Sequence, residues 1–261
     1  MKEFKIDNEY NLKLNEDGIW DTFQNGNKLP HEYPDLYKFY SLNIYNIDSL
    51  LRNYFYLAKP SDFNDPFDCN INLIENNKAY ENLKTVKRNV LSNVGISSLT
   101  EIIDSPLMWA HYTSNYKGFA LNFGNRIDIL LREHFFSKYT ITRVIYPEKP
   151  VRIKESYPFA QNYLMTTKFK HWQYEKEWRI ICDLKDKHRE LEYVPELVKG
   201  LYIGHNIPDE NPTAFSLLLE IHELRFPKTP IYVVYPHPTE LKLNFEKVWE
   251  SKNKKTAINN V

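Results

Sequence analysis

The residues best suited to chemistry gather in one stretch, Lys168 to Asp183, which reads KFKHWQYEKEWRIICD. Its middle places Glu175 and Glu177 two residues apart, ahead of Arg179 and the apolar pair Ile180-Ile181. Read as a strand, a period of two sends Glu175, Glu177 and Arg179 to one face and Lys176, Trp178 and Ile180 to the other. Two acids and an arginine on one face, beside Trp172 and Tyr174, describe the wall of a charged, aromatic cleft. The competing reading is an edge strand whose charges discourage pairing with other chains, or an ion-pair network across neighbouring strands. A second acidic group, Asp62, Asp65 and Asp68 in SDFNDPFD, offers hard oxygen ligands for a metal. Its proline punctuation and missing glycine favour Asx turns over an EF-hand, with Phe63 and Phe67 anchoring the loop. His111, in Trp109-Ala110-His111-Tyr112, has the chemistry of a general base or metal ligand. No second His or Cys lies at ligand spacing, so a packed ring is the favoured reading and no metal is expected.

Composition removes several functions. Only 7 Gly occur, and neither G-x-G-x-x-G nor a P-loop pattern is present, which argues against Rossmann and P-loop nucleotide sites. Lys plus Arg and Asp plus Glu both total 34, so no global basic field attracts nucleic acid. The two cysteines, Cys69 and Cys182, are isolated, and MKEFKIDNEY carries no signal-peptide pattern. Reduced thiols in a cytoplasmic protein are expected, and no apolar run reaches the roughly 20 residues that span a bilayer. Aromatic residues make up 15% of the chain, so the core must accommodate many large plates with polar tips.

The elements that must hold these residues are read from periodicity. Residues 1–34 are mixed and polar, close on Pro30 and Pro34, and are expected as an N-terminal arm. A single α+β domain is expected over 35–250, with a mixed or antiparallel sheet system and flanking helices around the cleft, then a frayed polar tail over 251–261. Strands are expected at 36–40, 54–58, 119–123, 140–146, 199–204, 231–235 and 241–245. Helices are expected at 43–53, 80–94, from Pro106, 125–136, 158–168 and from Asn211. In the last, Ala214, Leu217, Leu218, Ile221 and Leu224 share a face.

Four blocks carry a family resemblance: LYKFYS, SDFNDPFDC, MWAHYTSNYKGFALNF and KHWQYEKEWRII. In order and spacing they resemble the DUF2971 family of mainly bacterial proteins, from about Asp35 to Val248. More distantly, the order of elements is similar to the ADP-ribosyltransferase fold, whose members cleave NAD at the nicotinamide bond. That resemblance implies an NAD-dependent ADP-ribosyltransferase or NAD glycohydrolase, such as a bacterial toxin or antiphage effector. NAD would be the substrate, and a protein or nucleic acid the acceptor. Glu177 stands where the catalytic Glu is expected, with Glu175 to activate the acceptor. Lys38 replaces the family's first-strand His or Arg, and Tyr112 is the nearest match to its second-strand residue. Trp172 and Tyr174 would stack on nicotinamide. Arg179 or Lys38 would hold pyrophosphate or a ribose hydroxyl, and Tyr40 and His111 complete the nucleotide-binding set. A carboxylate beside the ribose would stabilise oxocarbenium-like charge. Two alternatives stand beside this: a metal-dependent nuclease using Asp62, Asp65 and Asp68 with Glu175 or Glu177, and a non-catalytic module that binds a ligand or protein in its aromatic cleft.

Overall fold

Tyr10-Asn11-Leu12-Lys13-Leu14 alternates apolar and polar residues, and the segment expected as an arm is a folded antiparallel meander. Its strands are β1 Glu3–Lys5, β2 Tyr10–Leu14, β3 Trp20–Gln24 and β4 Asn27–Lys28. The β3–β4 turn is Asn25-Gly26, both at positive φ, as a two-residue hairpin with the right twist requires. This is the computed structural model of the chain, and it describes residues 2–75, 85, 88–89, 91–130, 139–184 and 188–249. Most of the helix expected over 80–94, residues 131–136 of the one expected over 125–136, and the 251–261 tail lie outside the described residues.

The chain divides into two compact units, each built from three separated segments. The first comprises Met1–Glu32, Leu57–Ser97 and Ser137–Arg189. Here the meander packs on the helix Ala160–Thr166 through a core of Ile6, Tyr10, Leu12, Phe159 and Tyr163. Strand Tyr139–Arg143 pairs antiparallel with Glu177–Asp183, setting Arg143 opposite Trp178 and Thr142 opposite Arg179. A short parallel pair joins Ile153–Lys154 to Ile74–Glu75. A second core gathers Cys69, Leu91, Ile96, Leu164, Met165 and Ile181. The central strand starts later than the alternation suggests. Lys170–Glu175 is a 3-10 helix, Lys176 closes it in the left-handed region, and the strand begins at Glu177.

The second unit comprises Tyr33–Tyr56, Ser98–Phe136 and Glu190–Val261. Tyr37–Ser41 pairs antiparallel with Gly118–Asn122, which pairs antiparallel with Gly200–Gly204. Gly200–Gly204 runs parallel to Ile231–Pro236, and Leu243–Trp249 closes that edge antiparallel. Gly118–Asn122 is buried along its whole length, not half-buried as its alternation suggests. Gly118 cannot be replaced there, because a Cβ would sit 2.1 Å from the Tyr40 carbonyl oxygen. Helix Ile44–Arg52 is capped by the Asn43 side chain and ends on left-handed Asn53, and Ser105 caps Pro106–Tyr112. Helix Pro212–Arg225 starts at its expected Asn211 cap, but its apolar stripe is only partly covered. Leu218 and Ile221 are buried, whereas Leu217 and Leu224 are exposed.

Val94–Thr100 is a strand that the periodicity did not predict, between the helices expected over 80–94 and from Pro106. Helices combine with antiparallel and mixed sheets throughout, so the fold is α+β. No described helix is long and apolar enough to cross a membrane.

Candidate functional site

In the first unit, the turn at Lys176 folds the chain so that Glu175 and Glu177 converge on one ammonium although only Glu177 belongs to the strand. Lys168 Nζ donates to Glu175 Oε2 at 2.5 Å and Glu177 Oε2 at 3.0 Å. Lys168 is itself fixed just beyond helix Ala160–Thr166, where its backbone N–H donates to the Ile145 carbonyl. Arg179 lies one pleat further along the strand face. Its Nε and Nη2 donate to Glu177, Nη1 and Nη2 donate to the two oxygens of Asp68, and Nη1 also donates to the Met165 carbonyl. All five guanidinium N–H donors are therefore engaged inside the protein. The Glu177 backbone N–H donates to the Tyr146 hydroxyl oxygen at 2.8 Å.

This cluster is not the wall of an open cleft. Arg179 is 0% exposed, Glu175 3%, Glu177 and Asp68 4%, and Lys168 7%. Burial by itself pulls Lys168 down, but Glu177, Glu175 and Asp68 more than offset it and hold its pKa above the ordinary lysine value. Arg179 likewise keeps its proton, because Asp68 and Glu177 overcome its desolvation. Burial, with Glu177 adding to it, raises the Tyr146 phenol well above its ordinary value. Three carboxylates thus face two cations in a poorly solvated place.

The other face of the same strand is different. Trp178 points away from the cluster, and the Arg143 guanidinium lies 4.6 Å over its ring. Beside this pair opens a cavity of about 200 Å³ between the meander, strand Tyr139–Arg143 and helix Ala160–Thr166. Trp20, Thr22 and His31 line it from the meander side, and Phe159 and Asn162 from the helix side. Trp20 meets Phe159 edge-on at 4.9 Å. At the rim, His31 Nε2 is 2.8 Å from Asp21 Oδ1, and Lys28 Nζ is 2.7 Å from Asp21 Oδ2. Burial pushes the Asp21 carboxyl up, but its hydrogen bonds from Lys28 and His31 prevail and hold it below the usual range.

The remaining residues singled out from the sequence fall in several places. Trp172 and Tyr174 sit half-buried on the 3-10 helix, ring centroids 6.1 Å apart, with Lys168 Nζ 5.0 Å from the Trp172 ring. Lys38, Tyr40, His111 and Tyr112 belong to the second unit. Lys38 Nζ donates to the Ser98 carbonyl, and the buried Tyr40 ring stacks on Phe119. His111 is exposed on the last turn of Pro106–Tyr112, and Tyr112 is its final residue.

The FNDPFD loop divides its acids between two tasks. Asp65 accepts the Phe67 backbone N–H, an Asx turn, whereas Asp68 is the bidentate partner of Arg179. Phe63 packs on the Cys69 core as expected, but Phe67 is 52% exposed and anchors nothing there. Among the described residues, no three His, Cys, Asp or Glu side chains are placed to hold one metal ion. Reasoning from sequence gave Lys168 and Arg143 no role, and it read Asp68 as a metal-ligand or turn candidate and not as the partner of Arg179. Lys168 heads the key stretch and Asp68 lies in the acidic loop, yet no local spacing links either to Arg179.

Residues 108–180 match a family model described as "Protein of unknown function (DUF2971)". The match takes in MWAHYTSNYKGFALNF and KHWQYEKEWRI and supports the resemblance drawn from those blocks. No curated protein and no solved structure matches the chain.

Proposed function

We propose that this chain binds a small molecule in the cavity beside Trp178 and Arg143, with the buried charge cluster as the frame that holds the floor of that site. One observation carries this reading. Glu177 and Arg179, on one face of the strand Glu177–Asp183, are buried and bonded to internal partners, while Trp178 on the other face lines a cavity. Arg179 spends all five of its N–H donors internally and has none left to offer a ligand. A concave site with aromatic walls and a few convergent polar groups is the usual form of a small-molecule site. The cluster fits the role of a frame, since removing any one of its charges would strand the others in a low dielectric. The test is a thermal-shift and calorimetric screen of the whole chain against small organic acids, amines and neutral rings. Thr22→Trp, which fills the cavity, serves as the blocked control. Saturable binding to the wild type that is lost in Thr22→Trp supports the reading. Saturable binding that Thr22→Trp leaves unchanged overturns it.

A second reading is NAD cleavage or ADP-ribosyl transfer through Glu177. It is favoured by the excess of carboxylates over cations, since a residual negative field would stabilise an oxocarbenium-like centre. On this reading the 3-10 helix Lys170–Glu175 must open, because Glu177 is almost inaccessible where it lies. The cavity of about 200 Å³ falls below the roughly 300–1,000 Å³ typical of drug-sized ligands, and a dinucleotide is larger than those. Nicotinamide release by the wild type that disappears in a folded Glu177→Gln variant would establish this reading over the first.

A further inference from the structure

We infer that the cavity takes one uncharged planar ring bearing a single hydrogen-bonding group, with the ring against Trp20 and Phe159 and the polar group against Thr22 and Asn162. This rests on the cavity being the binding site and adds the class of its occupant. Size, charge and the placement of neutral polar groups select that class.

Size limits the occupant to one ring. A cavity of roughly 150 Å³ holds one benzene. The volume of about 200 Å³ therefore fits a ring with one small substituent. The aromatic wall is set in advance. Trp20 meets Phe159 edge-on, and Phe159 is backed by Tyr157, stacked at 5.3 Å, and by Phe4, tilted at 5.3 Å. Rings fixed in this way lose little freedom on binding, and an edge-to-face pair extends onto a flat third ring.

Charge selects against ions of either sign. Among the described residues no Asp or Glu lines the cavity, so a cationic ligand meets no counter-charge in it. The basic groups of the lining are already engaged. Arg143 lies over the Trp178 ring and has a further interaction within the protein. His31 contacts Asp21, which also holds Lys28. An anion would leave water without gaining an unclaimed partner, and that transfer costs far more for a charged group than for a neutral one.

Neutral polar groups reach the cavity from two sides. Trp20 and Thr22 stand two residues apart on β3 and so share its cavity face. Asn162 and Thr166 stand four apart on the helix Ala160–Thr166 and share a face there, where the Thr166 hydroxyl donates to the Asn162 carbonyl at 2.6 Å. The Thr22 hydroxyl and the Asn162 side-chain amide each have both donor and acceptor capacity. They match an amide, a hydroxyl or a ring nitrogen on the ligand, none of which carries a charge that the cavity would have to balance.

The experiment is isothermal calorimetry on the full chain, with the quench of Trp fluorescence as a second readout. The probes are benzamide, benzoate, benzamidine and toluene. The first three share one planar shape and are neutral, anionic and cationic, while toluene keeps the ring without the polar group. Benzamide is expected to bind at least about tenfold more tightly than either ion, the scale of one uncompensated charge at a partly enclosed site. Thr22→Val/Asn162→Leu should weaken benzamide by about tenfold, the scale of two neutral hydrogen bonds, and change toluene less than about threefold. Thermal melts check folding, and the wild-type comparison of the three isosteres needs no variant. Benzoate or benzamidine binding as tightly as benzamide, and lost in Thr22→Trp, overturns the uncharged class and leaves the cavity as the site. Equal weakening of benzamide and toluene in the double variant overturns the polar contact. Ring binding that Thr22→Trp leaves untouched, or no ring binding at all to a folded wild type, overturns both the class and the site.

Discussion

Replacing Lys168 by Met removes the ammonium that separates Glu175 from Glu177 and leaves a side chain of similar length in its place. Two carboxylate contacts, at 2.5 and 3.0 Å, are lost together with a longer approach of 4.0 Å to Asp68. The acids then face one another with Arg179 as their nearest cation. At an effective dielectric of about 20, two unit charges 4 Å apart interact by roughly 4 kcal/mol. Breaking a buried pair by removing one partner costs about 3–5 kcal/mol. Lys168→Met should therefore destabilise the protein by about 3–5 kcal/mol, since all three of its acidic partners are buried. In a melt that is a loss of roughly 6–20 °C. The assay is urea unfolding followed by circular dichroism and Trp fluorescence. Coincident transitions justify a two-state free energy. Lys168→Met/Glu175→Gln should regain part of the loss, because it removes one of the stranded charges. A loss under about 1 kcal/mol, the value of an exposed pair, would refute the reasoning.

Glu177→Gln should destabilise more than Glu175→Gln, because Glu177 serves both Lys168 and Arg179 whereas Glu175 contacts Lys168. Equal melting temperatures for the two variants would contradict the geometry. The Lys168 pKa is raised in the folded state, so its stabilisation is fully present below the unfolded value of about 10.4 and is lost as pH rises through the folded value. Unfolding free energy should fall on the alkaline side above about pH 10.4 more steeply in wild type than in Lys168→Met; parallel pH profiles would contradict this. Asp65→Ala should cost about 0.5–1.5 kcal/mol, because the part-buried Phe67 N–H loses its carboxylate acceptor. An unchanged urea midpoint would mean that water replaces it. Burial pushes the Cys182 thiol up to about 12, so iodoacetamide at pH 8 should label it only as the chain unfolds. Rapid labelling of the native protein would rule out that burial.

The sequence disclosed elements more fully than their assembly. The helix starts near Asn43, at Pro106 and at the Asn211 cap, and the strand through Ile180-Ile181, were legible because each depends on neighbours in the chain. Glu175 was placed on a strand it does not join, because the chain leaves its 3-10 helix at left-handed Lys176, a position with no glycine to announce the turn. The meander was missed although Asn25-Gly26 is a strong hairpin signal and Tyr10–Leu14 alternates, because the mixed polar composition of residues 1–34 was read as an arm. Asp68 and Arg179 stand 111 residues apart, and the cavity joins His31, Arg143 and Trp178. Such pairings follow from tertiary packing and leave no local spacing to read. The exposure of Leu217 and Leu224 shows the converse, an apolar stripe wider than the surface that covers it.

The central claim is that the ligand site lies on the Trp178 face of the strand and not on its Glu177 face. A crystal structure of the full chain soaked with a compound that binds in the small-molecule screen tests this directly. The account predicts ligand density in the cavity lined by Trp20, Phe159 and Trp178, with the Lys168–Glu177–Arg179 bonds unbroken. Density against Glu177, with the 3-10 helix Lys170–Glu175 displaced and the cavity empty, would contradict it.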